Sequence, residues 1–167
     1  MTDQVEAARR HAVIKTSLEQ GRAAFQALLG SLTEDDLAQK GSGSNWGARE
    51  EATHVVISIQ HVPRLITALR RGDDYMNYPL PVFEPLKRLN TWWEARGATP
   101  GTLAHRLEAA YPPILALLDT IRDDEWERSG RAYGEGRWTV AGAFLHQREH
   151  VEEHIRQIRE LIRSHRR

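Results

Sequence analysis

Apolar residues recur at intervals of three and four along nearly the whole chain, a spacing that gives a helix one buried face and a strand none. Between residues 3 and 29 it is carried by Val5, Ala8, Ala12, Leu18, Phe25 and Leu28, and Gly30 supplies a stop. The polar link Lys40-Gly-Ser-Gly-Ser-Asn45 leads to a second periodic stretch, residues 46–69, with Val55, Ile59, Val62, Ile66 and Leu69 on one face. Pro63 lies inside that stretch, lacks a backbone N–H and predicts a kink or a break. Residues 72–81 read as an extended crossing, followed by a short helix over residues 84–96 that carries Trp92 and Trp93.

Thr99-Pro100 has the chemistry of an N-cap followed by a proline at the first helical position. It opens a helix through Leu103, Leu107, Tyr111, Ile114, Leu117 and Ile121, with a kink expected at Pro112-Pro113. A polar link, residues 129–137, precedes the last helix, residues 139–164, which buries Val140, Phe144, Val151, Ile155, Ile158 and Ile162. No period-2 alternation marks a strand. The expectation is one all-α domain over residues 1–167. Its architecture is a four-helix bundle with a long crossover between the second and third long helices.

The two halves echo each other. Leu32-Thr-Glu-Asp-Asp-Leu37 and Ile121-Arg-Asp-Asp-Glu-Trp126 are acidic corners, and each leads through a link to a tryptophan, Trp46 or Trp138. Each tryptophan is followed eight residues on by a histidine, His54 or His146. The recurrence predicts a pseudo-twofold molecule made of two helix hairpins. Both tryptophans are expected to anchor helix starts, and Trp92-Trp93 to line a cleft or cover one end of the bundle.

Charge and composition narrow the chemistry. Lys and Arg together number 23, as do Asp and Glu, so the net charge is zero and the basic face needed to bind nucleic acid is not expected. Cysteine is absent, which removes disulfides, a thiolate nucleophile and any zinc site built on sulfur. The first twenty residues lack the apolar run of a signal peptide, and no stretch reaches the ~20 apolar residues that span a bilayer. A cytoplasmic protein that does not engage membranes is the expectation.

Five of the eight histidines lie in the second and last long helices. His146, His150 and His154 recur every four residues, and adjacent pairs at that spacing can both reach one metal ion. At ~100° per residue, His154 lies about 65°, His150 about 105° and His146 about 145° from the centre of the last helix's apolar face. His150 and His154 therefore border the core, and His146 leans outward. In the second helix His54 sits at about 100° from the apolar centre and Glu51, one turn earlier, at about 40°. One histidine from this helix and two from the last make a three-nitrogen site with open positions, as zinc enzymes use. Glu51 is open to three roles: a further ligand, a hydrogen-bond partner of a ligating histidine, or a general base. The competing reading of His146-Gln-Arg-Glu-His-Val-Glu-Glu-His154 is a solvated face with charges paired at i, i+4. His11, His61, His105 and His165 read as structural.

At these residues the chain resembles the DinB/YfiT-like superfamily of four-helix-bundle metalloenzymes. The resemblance rests on Asn45-Trp46-Gly47 with His54 eight residues after the tryptophan, on Arg137-Trp138-Thr139, and on His150-Val-Glu-Glu-His154-Ile-Arg-Gln-Ile158. It implies that His54, His150 and His154 bind a divalent metal, nickel or zinc, and that the chain forms a homodimer. It also implies a small-molecule substrate and either hydrolysis or transfer to a low-molecular-weight thiol cosubstrate such as mycothiol or bacillithiol. Glu51 is the candidate catalytic residue, and Arg64, Arg148, Arg156 and Trp92-Trp93 are candidate substrate contacts. The alternative is a non-catalytic bundle that sequesters a metal or ligand in a stress response. Pro63 and Pro112-Pro113 have no counterpart in the family pattern.

Overall fold

The computed structural model describes residues 2–41 and 46–165. Of the Lys40–Asn45 link, residues 42–45 lie outside the described residues, as does the side chain of Val5. The long helices are α1 (Thr2–Ser31), α3 (Ala48–Arg71), α5 (Pro100–Leu118) and α6 (Val140–His165). A one-turn helix α2 (Glu34–Leu37) follows α1, and α4 (Leu80–Glu94) lies between α3 and α5. The fold is all-α in class.

Most of the buried residues are ones the periodicity selects, but in α1 the expected Ala8 and Ala12 are exposed and Ile14 is buried instead. Leu18, Phe25 and Leu28 of α1 meet Val55, Ile59, Val62, Ile66 and Leu69 of α3, Leu103, Leu107, Tyr111 and Ile114 of α5, and Val140, Phe144, Val151 and Ile158 of α6 in one cluster. Among the described residues α1 packs chiefly on α5 and α6, and so does α3. Side-chain contacts give the directions. His11 bonds Asp119 at 2.9 Å and Arg22 bonds Glu108 at 3.0 Å, so α1 and α5 are antiparallel. Gln60 bonds Arg106 at 3.1 Å and Arg70 bonds Thr120 at 3.0 Å, so α3 and α5 are parallel. The Glu51–His154 contact at 2.6 Å and the Arg70–Arg128 contact at 3.0 Å make α3 and α6 antiparallel.

Two expectations need correcting. Pro63 does not break α3, which runs unbroken from Ala48 to Arg71. A proline forfeits one backbone hydrogen bond, and the buried Ile59, Val62, Leu65 and Ile66 on either side of it hold the helix in register. Pro112 and Pro113 likewise sit on the exposed side of an unbroken α5, which ends at Leu118 rather than running on to Ile121. Second, a small antiparallel hairpin, β1 (Ser129–Arg131) and β2 (Arg137–Thr139), occupies the link before α6. Its three-residue strands are too short to display an alternating pattern.

That hairpin is bound to the crossing after α3. Gly72 ends α3 at φ 77°, a left-handed position that suits glycine, and the Asp73 N–H returns to the Ala68 carbonyl. The Tyr75 N–H then donates to the Arg131 carbonyl at 2.9 Å, and the Tyr133 N–H to the Tyr75 carbonyl at 3.3 Å. Gly130 permits this approach, because a Cβ there would lie 2.0 Å from the Asp73 carbonyl oxygen.

The sequence echo is an echo in space, with one change. At the first corner Asp36 accepts the Thr33 N–H at 3.0 Å, and at the second Glu125 accepts the Arg122 N–H at 3.0 Å. Trp46 and Trp138 each stand two residues before a long helix, and each ring lies 4.8 Å from its histidine, His54 or His146. The two long helices of each unit are diagonal to one another rather than packed side by side as a hairpin would be. Among the described residues no helix is long and apolar enough to cross a membrane.

Candidate metal centre

The antiparallel packing of α3 on α6 brings residues nearly a hundred positions apart into one cluster. One ligand-capable atom from each of His54, His150 and His154 lies within 4.8 Å of the others. His54 and His154 are buried and His150 is half-buried, as their places at the edge of the apolar faces dictate. The imidazole rings pack edge to face, with centroids 5.2 Å apart for His54–His150, 5.0 Å for His54–His154 and 4.5 Å for His150–His154.

The nitrogens of the cluster divide into held and unheld. His154 Nδ1 is 2.6 Å from Glu51 Oε2, so this nitrogen carries the proton toward the carboxylate and Nε2 is left with its lone pair. Glu51 is placed for this by the first turn of α3, where its N–H is bound to the Gly47 carbonyl at 3.0 Å. His54 Nε2 is 3.4 Å from Ser58 Oγ, one turn further along the helix. His54 Nδ1 and His150 Nε2 are buried and have no hydrogen-bond partner. Orphaned buried nitrogens are costly unless something binds them, and a cation is what two lone pairs beside a third would bind.

Electrostatics keep those lone pairs free. Burial, and then the proximity of His150, His154 and Lys87, hold the His54 imidazole at a pKa of about 2. Burial, and then His154, His146 and Lys87, bring His150 to about 3. Both rings are therefore neutral at ordinary pH, the state in which imidazole ligates metal. The carboxylate–histidine contact at His154 is the arrangement that fixes tautomer and ring orientation at metal sites.

The residues singled out from sequence are distributed unevenly. His54, His150, His154 and Glu51 come together. His146 stays outside the cluster, but it is half-buried against Trp138, 5.5 Å from the His150 ring, and does not simply face solvent. Arg148 pairs with Glu152 at 2.7 Å and Arg156 with Glu160 at 3.7 Å on the exposed side of α6, while Arg64 is exposed on α3. Trp92 and Trp93 are exposed around Arg96, with the guanidinium 3.8 Å and 4.7 Å from their ring centres.

Residues without a sequence signal also reach the site. Lys87 of α4 lies 5.9 Å from the Trp46 ring and is bonded to Glu84 at 2.6 Å. Arg88 lies 5.6 Å from the same ring and, with Trp46, Glu51, Gln157 and Leu161, borders a cavity of about 500 Å³. Ring contacts continue from His146 through Trp138 and Tyr133 to Tyr75, whose hydroxyl is 2.7 Å from His61 Nδ1.

An all-α chain with three histidines and a carboxylate gathered between two long helices belongs to the class of helical proteins with a potential metal centre. The chain is a member of the DinB superfamily: that family's model matches residues 17–158, which include every residue of the cluster. No curated protein and no solved structure matches it.

Proposed function

We propose that the protein is a metal-dependent enzyme acting on a small molecule, with His54, His150 and His154 as the ligands of one divalent ion. The observation that carries this reading is the pair of buried, partnerless nitrogens on His54 and His150 beside a histidine whose other nitrogen Glu51 already holds. Three imidazoles suit nickel or zinc, and no sulfur ligand is available. When bound, the ion would supply Lewis-acid activation of water or of a thiol cosubstrate. The chain's own residues do the rest. Glu51 fixes the His154 tautomer, which makes it a positioning residue first. The carboxylate also borders the neighbouring cavity, where it is available to accept a proton from a nucleophile. Arg88 on one hand and Glu51 and Glu160 on the other border that cavity, so it offers a substrate charges of both signs.

The architecture that supports this site is, on our reading, a four-helix bundle of α1, α3, α5 and α6. Parallel α3 and α5 require the chain to travel back along the bundle between them, and residues 72–99 with α4 make that crossover. A cytoplasmic location fits, since reduced low-molecular-weight thiols are available there.

The test is metal content and calorimetry on the purified chain, followed by assay against ester and thiol–electrophile panels. About one divalent ion per chain is expected, with binding lost in His54→Ala, His150→Ala and His154→Ala and turnover lost with it. Absence of binding by the unaltered protein would overturn the metal centre. Saturable binding without turnover on any panel would assign the protein to the sequestering alternative.

A further inference from the structure

Exposed apolar side chains are scattered singly on most protein surfaces. Of the ten large ones among the described residues, eight fall between Met76 and Trp93. The docking of α4 explains most of them. This helix is held by Phe83, Thr91 and the half-buried Lys87, which stands beside the histidine cluster. At ~100° per residue, Val82, Leu86, Leu89, Trp92 and Trp93 all lie on the half of the helix opposite those three. They are exposed by between 46% (Trp92) and 61% (Trp93). At ~200 Å² for a large apolar side chain, they present roughly 500 Å², well into the ~300–600 Å² of the largest patch on a typical monomer. A helix that serves only the core turns its apolar side inward. The charges are sorted too. Both acids of α4 turn toward the body of the protein, Glu84 bonded to Lys87 at 2.6 Å and Glu94 paired with Arg106 of α5 at 3.2 Å. The outward half carries the exposed Arg88 and no carboxylate. Arg96, exposed two residues past the helix, lies over Trp92 and Trp93, its guanidinium 3.8 Å and 4.7 Å from their ring centres.

We propose that the outward face of α4 docks on the surface of a bilayer containing anionic phospholipid, with the helix lying in the plane of the interface. Val82, Leu86 and Leu89 enter the boundary of the acyl chains. Trp92 and Trp93 sit at the level of the headgroups, where indole rings collect at membrane surfaces. Arg88 and Arg96 extend past them to the lipid phosphates, which guanidinium groups bind through charge-assisted hydrogen bonds. This mode needs no spanning segment, and among the described residues no helix is long and apolar enough to be one. A second copy of the same face is the poorer occupant. It would bring arginines and no carboxylate to a seam that excludes water, whereas anionic lipid supplies the missing negative charge. The face is turned away from the histidines, so its docking is independent of a bound metal.

The experiment is co-sedimentation of the full chain with vesicles of equimolar phosphatidylcholine and phosphatidylglycerol, and with vesicles of phosphatidylcholine alone. Saturable binding to the mixed vesicles is expected, with a blue shift of tryptophan emission. Two arginines at roughly fivefold each make it on the order of 25-fold tighter than binding to phosphatidylcholine. Leu89→Glu should abolish both signals with its helix content intact by circular dichroism. Leu145→Glu, which alters an exposed leucine on α6, should keep them. Arg96→Gln, a milder change, should weaken binding to the mixed vesicles by about fivefold and leave binding to phosphatidylcholine nearly unchanged. No binding to the mixed vesicles, binding that survives Leu89→Glu, or equal binding with and without phosphatidylglycerol would overturn the proposal. So would a lipid-indifferent chain that sediments at twice its mass until Leu89 is changed, which would assign the face to a second copy. None of these readouts depends on the metal.

Discussion

Glu51 holds His154 by Nδ1, which leaves Nε2 for a ligand, and this gives the carboxylate a measurable job. Glu51→Ala is expected to weaken nickel or zinc binding by roughly 10–100-fold, the usual cost of losing such a partner. Glu51→Gln, whose carbonyl can still accept the N–H, should lose less; competition against a chromogenic chelator separates the two. Protons compete at the same residues. Burial, above all, keeps His54 and His150 neutral down to about 2 and 3, against 6.5 in the unfolded chain. Between those values the unfolded chain binds more protons than the folded one, so stability falls as pH falls. The melting temperature of chelator-treated protein should be level above pH 7 and drop steadily from about pH 6.5 toward 4, with a shallower drop for His150→Gln. Wheel positions put His54, His150 and His154 at the edges of their helices' apolar faces and Glu51 further in, and the family resemblance, rather than spacing alone, joined the histidines into one site. Lys87 and Arg88 were not legible that way. They reach the site from α4, whose apolar stripe of Val82, Leu86, Leu89 and Trp93 is exposed, so its periodicity does not mark the side that docks.

At the level of the helix and the strand, prolines and glycines show how far local rules extend. Pro63 carries a breaking signal, yet the buried contacts of α3 outweigh one missing hydrogen bond. The exposed placement of Pro112 and Pro113 shows how α5 accommodates a pair. Four long helices were therefore readable from spacing, with their ends misplaced by up to a few residues. The hairpin was not, since three residues per strand cannot establish a period. Its evidence lies in Gly130, where the backbone of the crossing comes too close for a side chain. Gly130→Ala is expected to destabilise the fold by about 1–3 kcal/mol, because the contact is with backbone and cannot rotate away. Denaturant unfolding measures it. Gly101→Ala, in an exposed helical position with only the Thr99 hydroxyl near the added methyl, should be neutral or slightly stabilising.

Across the whole molecule, a bound ion would join α3 to α6. At a concentration 100-fold above its dissociation constant it contributes about 2.7 kcal/mol, which for a chain of this size raises the melting temperature by ~5–10 °C. Thermal scans with nickel and with zinc should show that rise in the unaltered protein and none in His150→Ala. The helix order has a separate consequence, for synthesis rather than for chemistry. Since α1 and α3 rest chiefly on α5 and α6, the stretch up to Arg71 holds two apolar faces with little to cover them. A nascent chain stalled after α3 should be protease-sensitive and a chaperone client, and protection should arrive in one step once α6 has cleared the ribosome. The diagonal pairing thus defers folding of this region until α6 is available, with the three histidines meeting only then.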